Sequence, residues 1–305
     1  MLFLTEDQFR GLVKVDQVIQ AIRAAFTRDF SSSLHMPVRS SLELEGAILL
    51  VMPCYDSALN AAGVKLVSVS SRGVQAVYEL LDPHTGISIA RMEANYLTDI
   101  RTAATSAVAT DLLARADVRT LGIFGSSRQA AAHFVALPRV RRFERFLVCG
   151  SGRSDVRAFC AKMKAEQGIT IEPVTPEICA RESDVICTCT NAGQPLFDGR
   201  WLRPGAHLNL VGAFQPHTRE VDDETVRRAR VAVDTYEAAL AEPGDLLIPI
   251  RNGTVGEEHI LADLHEMASG KKTVRTSRDD ITLFKSVGCA LEDLVTAQLV
   301  YEQVK

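Results

Sequence analysis

The stretch "TLGIFGSSRQAAAHFVAL", residues 120–137, decides how the rest of the chain is read. Leu121–Phe124 is a short apolar run of the kind that fills a buried strand, Gly125 breaks it, and helix-forming residues follow from Arg128. A dinucleotide-binding turn normally reads G-x-G-x-x-G or G-x-G-x-x-A, its second glycine letting the backbone approach a pyrophosphate. Here Ser127 stands at that second glycine, while Ala130 fills the third position, where a small side chain lets helix and strand pack closely. The helix start offers free N–H groups and a positive dipole end to an anion. The hydroxyl of Ser127 can donate to a phosphate. A turn of this pattern also serves as a plain strand-to-helix connection, and these residues alone leave both readings open.

Downstream the same rhythm repeats. Apolar runs "RFLVC", "DVICTCT", "HLNLVG" and "VAVD" alternate with helical segments 128–137, 154–164, 222–229 and 237–241, the signature of a parallel, doubly wound sheet. Upstream, residues 1–95 mix a helix over Val15–Phe30, apolar at Val15, Val18, Ile19, Ile22, Ala25 and Phe26, with strands in "AILLVMP" and "VKLVSVS". "AVYELLDPHTGISIARME" reads as a hairpin about Pro83–Gly86, so this half is α+β. Between the halves, "TDIRTAATSAVATDLLAR" puts Ile100, Ala103, Ala104, Ala107 and Val108 on one helical face with Thr98 as N-cap. The closing "LEDLVTAQLVYEQVK" is another amphipathic helix whose pattern does not say which half it joins.

Composition sets bounds. At 305 residues, with 47% hydrophobic and 24% charged residues, the chain matches an ordinary soluble globular protein of one large or two medium domains. A formal net charge of -4 gives no reason to expect nucleic acid as a partner. The opening "MLFLTEDQF" is too short and lacks the basic flank of a secretory segment, and no stretch reaches the roughly 18 apolar residues of a membrane span. A cytoplasmic location without membrane contact is expected. Seven cysteines without a C-x-x-C pair are expected to be reduced and mostly buried. Seven histidines without ligand spacing give no metal site.

The end of the second apolar run bears on nucleotide choice. An NAD-selective site usually places an acid there, roughly 20 residues after the turn, to bind the ribose 2′-OH. "LVCGSGRSD" instead offers Gly150, Ser151 and Arg153, and a hydroxyl plus a guanidinium suits a 2′-phosphate, so NADP(H) is expected over NAD(H). Arg153 also reads as a solvated residue at a helix start. In the first half, Arg39 in "HMPVRSSLEL", Lys65 in "GVKLVSV" and Arg101 in "TDIRTAA" are cations in apolar or small-residue contexts, where a charge is costly unless paired. Each reads singly as a salt-bridged surface residue; converging, they make a carboxylate clamp.

At this point the chain resembles the ornithine cyclodeaminase/mu-crystallin family along nearly its whole length. The resemblance rests on "MPVRSSLEL", "VMPCYDSALNAAGVKLVSV", "LLDPHTGISIARMEANYLTDIRTAATSA", "GSSRQA", "SDVICTCTNAGQPLF", "WLRPGAHLNLVGA", "REVDDE" and "DITLFKSVGCALEDLVTAQLVYE", in this order. It implies an α/β fold in which a doubly wound, Rossmann-type dinucleotide domain, residues 111–289, is inserted in a substrate-binding and dimerisation domain, residues 1–110 plus 290–305. It also implies a homodimer. Arg39, Lys65 and Arg101 fall on the family's substrate positions, the arginines gripping an α-carboxylate and Lys65 lying near the reacting carbon. Met52 and Phe214 fall in the substrate pocket. Thr102, Gly125, Ser126, Ser127, Arg128, Gln129, Ser151, Arg153, Thr188, Thr190, Val211, Ser286 and Gly288 fall along the cofactor groove.

Two departures bear on the reaction. Cyclodeaminases of the family carry a glutamate before the M-P dipeptide and an aspartate after the "VGG" strand end; the resemblance puts Leu50 and Phe214 there, and neither moves a proton. The resemblance therefore implies a reductase of a small cyclic α-imino acid, such as pyrroline-2-carboxylate or piperideine-2-carboxylate, with Lys65 stabilising charge or relaying a proton. An ornithine cyclodeaminase, an alanine- or opine-type dehydrogenase and a non-catalytic NADPH-binding protein are the alternatives. His207 and His217 read as packing or surface residues, and Glu242 and Asp245 as structural residues of a loop.

Overall fold

The computed structural model describes residues 1–30, 33–150 and 155–305. In chain order the strands are β1 (Leu2–Leu4), β2 (Leu34–His35), β3 (Ser40–Leu44), β4 (Ala47–Asp56), β5 (Ala61–Ser70), β6 (Gly73–Leu81), β7 (Ser88–Glu93), β8 (Thr120–Phe124), β9 (Arg145–Cys149), β10 (Glu172–Pro173), β11 (Val185–Thr188), β12 (His207–Leu210), β13 (Ala229–Val233), β14 (Ile260–Asp263) and β15 (Ile281–Lys285). The α-helices are α1 (Glu6–Leu12), α2 (Val15–Thr27), α3 (Asn95–Leu113), α4 (Arg128–Ala136), α5 (Val156–Gln167), α6 (Pro176–Glu182), α7 (Asp223–Arg228), α8 (Tyr236–Ala239), α9 (Gly244–Arg251), α10 (Leu264–Ala268) and α11 (Ala290–Glu302). Two compact units result, Met1–Thr105 with Gly288–Lys305 and Ser106–Val287.

The first unit is built on a sheet of order β1-β7-β6-β5-β4-β2, with β3 also pairing β4; β1 and β7 run parallel and the other neighbours antiparallel. In β5 burial alternates residue by residue from Ala61 to Val67, which places Lys65 on the covered face. Register carries that position across the sheet: Met52 pairs with Lys65, Lys65 with Tyr78, Tyr78 with Met92 and Met92 with Leu4. Directly paired residues share a face, and all five side chains are buried. α11 packs against β4, β5, β6 and α2. The apolar stripe Val18, Ile19, Ile22, Ala25 and Phe26 of α2 is buried as its spacing requires. The helix stops at Thr27 rather than Phe30 because Arg28 turns to extended backbone, its guanidinium 2.5 Å from the buried carboxylate of Asp56.

α3 carries the chain from the first unit into the second, and it corrects two expectations. It begins at Asn95, and Thr98 does not cap it: the Thr98 hydroxyl donates back to the Ala94 carbonyl inside the helix. The helix is also not one-sided, since every residue from Asp99 to Thr110 is buried.

The second unit is an eight-stranded, wholly parallel sheet of order β10-β9-β8-β11-β12-β15-β13-β14. Strand order reverses between β8 and β11, the switch point of a doubly wound fold. One apolar cluster gathers Phe134, Phe159, Met163 and Val118; a second gathers Phe124, Phe197, Leu208, Leu246 and Leu283. Helices start where side chains cap them, Asp155 for α5, Thr175 for α6, Asp222 for α7, Thr235 for α8 and Asp263 for α10. Among the described residues no helix is long and apolar enough to cross a membrane.

Candidate active site

The carboxyl ends of the parallel strands lie in one register row. Cys149 pairs with Phe124, Phe124 with Thr188, Thr188 with Leu210 and Leu210 with Lys285. One residue beyond that row stand Gly125, Cys189, Val211 and Ser286, so Gly125, Val211 and Ser286 of the sequence-expected cofactor residues share one edge, the edge where α/β sheets bind ligands. Gly125 has φ +114, and a Cβ there would lie 2.5 Å from the Cys189 carbonyl oxygen across the switch point. Only glycine fits. Ser127 is the N-cap of α4 without a side-chain cap bond; its hydroxyl lies 3.4 Å from the Cys189 carbonyl instead. The first N–H groups of a nine-residue helix are thus left uncapped by this side chain. Ser286 Oγ is buried without a hydrogen-bond partner. A glycine-only turn, an uncapped helix start and an orphaned hydroxyl on one edge fit a dinucleotide.

Ser126 and Gln129 are half-buried, and Ser127 and Arg128 are exposed. His133, one turn along α4, has Nδ1 2.8 Å from the Gln129 carbonyl and Nε2 2.8 Å from Ser106 Oγ. A carbonyl only accepts, so Nδ1 carries the proton and Nε2 accepts from the serine. Burial holds its pKa down to about 4, and the ring is a neutral strut. Ser151 and Arg153 lie outside the described residues.

Thr188 and Thr190 are held by a residue the sequence reading did not single out. Glu220 is fully buried. Its Oε1 accepts from Thr190 N (2.8 Å) and Thr190 Oγ1 (2.8 Å), and its Oε2 from Thr188 Oγ1 (2.7 Å), Gly212 N (2.7 Å) and Ala213 N (3.2 Å). Asp245 lies in the first turn of α9, not in a loop, and accepts from the Glu220 and Val221 N–H groups at 2.7 and 3.2 Å. Lys285 Nζ pairs with Asp245 Oδ2 at 3.1 Å, both side chains fully buried. Burial and Asp245 raise the Glu220 pKa, and Lys285 and the two threonine hydroxyls oppose them. Phe214 and Val211 are half-buried on the loop that Glu220 holds through Gly212 and Ala213.

In the first unit the structure brings Lys65 and Arg101 together through two acids of α11. Asp293 Oδ1 lies 2.7 Å from Lys65 Nζ and 2.9 Å from Arg101 Nε, and Glu292 Oε2 lies 2.5 Å from Arg101 Nη1. The Asp293–Arg101 Nε contact is an ion pair whose angle makes no hydrogen bond, and Asp293 Oδ2 and the Tyr78 hydroxyl are buried without hydrogen-bond partners. Two cations and two carboxylates thus neutralise one another out of water, the condition under which buried charges are tolerated. Burial and Arg101 pull the Lys65 pKa down to about 8, against Asp293 and Glu292, which hold it up. Burial pulls the Arg101 pKa down, but Asp293 and Glu292 outweigh it and the guanidinium stays charged. Burial and Asp293 push the Tyr78 hydroxyl up, so it stays protonated. Gly288 has φ +82, and a Cβ on it would lie 2.3 Å from Arg101 Nη1. Met52 and Thr102 are buried, whereas Arg39 is half-buried immediately before β3.

His207 is a buried strut with Nδ1 3.0 Å from Thr282 Oγ1 and a pKa held down to about 3 by burial, and His217 is exposed. All seven cysteines are free, Cys160 half-buried and the others buried. Among the described residues no three His, Cys, Asp or Glu side chains gather to hold a metal ion.

The family model for ornithine cyclodeaminase/mu-crystallin proteins matches residues 1–305. The chain belongs to that family. A Delta(1)-pyrroline-2-carboxylate reductase of Bacillus cereus is 34% identical, covering 99% of this chain and 96% of its own. The ketimine reductase mu-crystallin of Mus musculus is 34% identical over 97% of this chain and 94% of its own. The solved Delta(1)-pyrroline-2-carboxylate reductase of Thermococcus litoralis, in complex with NADH and L-proline, superimposes with a TM-score of 0.96 at 37% identity, covering 100% of this chain and 97% of that one. Within the family the mixed α/β architecture with a Rossmann-type parallel sheet is shared.

Proposed function

We propose that this family member is an NAD(P)H-dependent oxidoreductase that reduces the C=N bond of a small cyclic α-imino acid, pyrroline-2-carboxylate or piperideine-2-carboxylate. The observation that carries the proposal is Lys65, a wholly buried lysine with its pKa brought down to about 8, set among acids and an arginine in a chain whose relatives reduce such imines. A reduced nicotinamide, when bound, supplies the hydride to the imine carbon. The chain's own residues do the rest. Lys65 gives a proton to the ring nitrogen as the carbon is reduced and is reprotonated from water. Arg101 has Nε and Nη1 engaged by Asp293 and Glu292, so the substrate carboxylate falls to its Nη2 and to Arg39. Leu50 and Phe214, where the family's cyclodeaminases carry acids, offer no group to assist ornithine deamination.

The nucleotide rests on the edge marked by Gly125, Ser127, Thr188, Thr190, Val211 and Ser286. NADPH is favoured over NADH because Gly150, following β9, is succeeded by Ser151 and Arg153 rather than an acid. A homodimer is part of the same reading, supported by the exposed edge strand β3. Absorbance at 340 nm tests the reaction. Oxidation of NADPH by pyrroline-2-carboxylate or piperideine-2-carboxylate, faster than of NADH at equal concentration, is expected. Ammonia release from ornithine without such oxidation would overturn the reductase assignment, and equal use of both nucleotides would overturn the preference.

A further inference from the structure

We propose that Glu220 is a positioning residue for the nucleotide: one buried carboxylate that ties the segment after β11 to the loop after β12 and so fixes the edge on which the cofactor lies. The inference rests on the reading that the second unit holds a dinucleotide. It goes beyond that reading because Glu220 is fully buried and so touches no ligand. The two segments it joins belong to strands that are neighbours in the sheet, and both leave the same edge.

Backbone pairing alone does not hold them. Beyond Thr188 and Leu210 backbone bonding between the two segments is reduced to the Val211 and Gly212 N–H groups reaching the Thr188 carbonyl at 3.1 and 3.2 Å, while the Glu220 carboxylate takes the Thr190 and Ala213 N–H groups and shares that of Gly212 at 2.7 Å. Gly212 is part of the device: a Cβ there would lie 2.1 Å from the Thr190 carbonyl and 2.6 Å from Glu220 Oε1, so only a glycine lets the two segments approach this closely. Each carboxylate oxygen accepts at least one backbone N–H, which makes the site intolerant of a donor at either oxygen. Behind it, Asp245 receives the Glu220 and Val221 N–H groups and is itself paired with Lys285 at the end of β15. Glu220 is thereby pinned from its backbone as well as through its side chain. The arrangement extends along four strands of the edge, from the turn where Gly125 meets Cys189 to Lys285.

Glu220→Gln is the sharpest test, because the amide nitrogen must face either the Thr190 N–H or those of Gly212 and Ala213. NADPH affinity is read by fluorescence titration, and KM is measured separately for NADPH and for the imino acid. The expected result is a loss of NADPH affinity of about tenfold or more, with KM for NADPH rising in proportion and KM for the imino acid moving less than about twofold. Leu264→Ala, a core truncation in α10, is the control for general loosening of the unit; it lowers the melting temperature without the selective loss of NADPH affinity. Should Glu220→Gln fail to fold, Glu220→Asp carries the same readout, since a carboxylate one methylene shorter cannot span both segments. A folded variant at Glu220 that binds NADPH within twofold of the unaltered protein, or a matching loss in Leu264→Ala, overturns the inference alone. Unaltered protein that takes up neither NADPH nor NADH overturns the functional reading with it.

Discussion

A lysine shut away from water keeps its proton only as far as its neighbours allow. For Lys65 burial and Arg101 favour the amine, Asp293 and Glu292 favour the ammonium, and the balance falls at about 8 rather than the usual 10.5. The folded protein thus holds Lys65 mostly protonated near neutrality but lets the proton go readily, the compromise a general acid needs. Since the charged form is the donor, kcat/KM for imine reduction is expected to fall about tenfold per pH unit above about pH 8, and Lys65→Met to lower turnover by about 100-fold or more while leaving NADPH affinity unchanged. A rate flat to pH 10, or a methionine variant with full turnover, would remove Lys65 from the chemistry. Lys65 and Arg101 stood out in the sequence because a cation in an apolar run is costly. Their partners did not. Glu292 and Asp293 sit in "LEDL", and a helical pattern assigns acids to the solvent face by default; α11 is instead buried from Ala290 to Ala297. Two adjacent acids flanked by leucines were the available signal.

Among the elements, the turn from β8 to α4 shows what local sequence can and cannot carry. Gly125 is irreplaceable for two separate reasons, a φ of +114 and a carbonyl 2.5 Å from where a Cβ would go. Gly125→Ala is expected to destabilise the second unit by about 1–3 kcal/mol and to weaken NADPH binding by more than tenfold, checked by denaturant unfolding and by titration. An alanine variant with unaltered affinity would mean that this turn does not approach the nucleotide. Ser127, the departure from the glycine pattern, is exposed and extended at the N-cap, so its Cβ meets no such obstacle. The alternation of short apolar runs and helices was legible because a parallel sheet covered on both faces needs strands that are apolar throughout. β15 escaped that reading: "ITLFK" ends in a lysine that only the fold supplies with a partner, Asp245. Thr98 misled for a related reason, since a threonine inside a helix and one at its start look alike until its hydroxyl is seen bonding to Ala94.

At the scale of the whole molecule, periodicity has no information about which elements pack together. The chain leaves its first unit within α3 and returns to it at Gly288, and the final helix lies against β4, β5, β6 and α2, elements more than 200 positions earlier in the chain. A surface feature of the first unit bears on assembly. All five residues of β3 are exposed, Leu42 at 56% and Leu44 at 51%, and among the described residues β3 pairs with β4 alone. An edge strand with open N–H and C=O groups and apolar side chains is a template for another chain, and soluble proteins usually blunt such edges with charge or proline. Glu43 is the single charge within β3. The strand therefore fits a self-complementary contact with a second copy, the commonest arrangement among homo-oligomers. Light scattering on a sizing column is expected to give about twice the 33.3 kDa of one chain, and Leu42→Asp with Leu44→Asp to bring it to the single-chain mass. If the unaltered protein travels as one chain, β3 is not an interface; if the double variant stays at the doubled mass, the copies meet elsewhere.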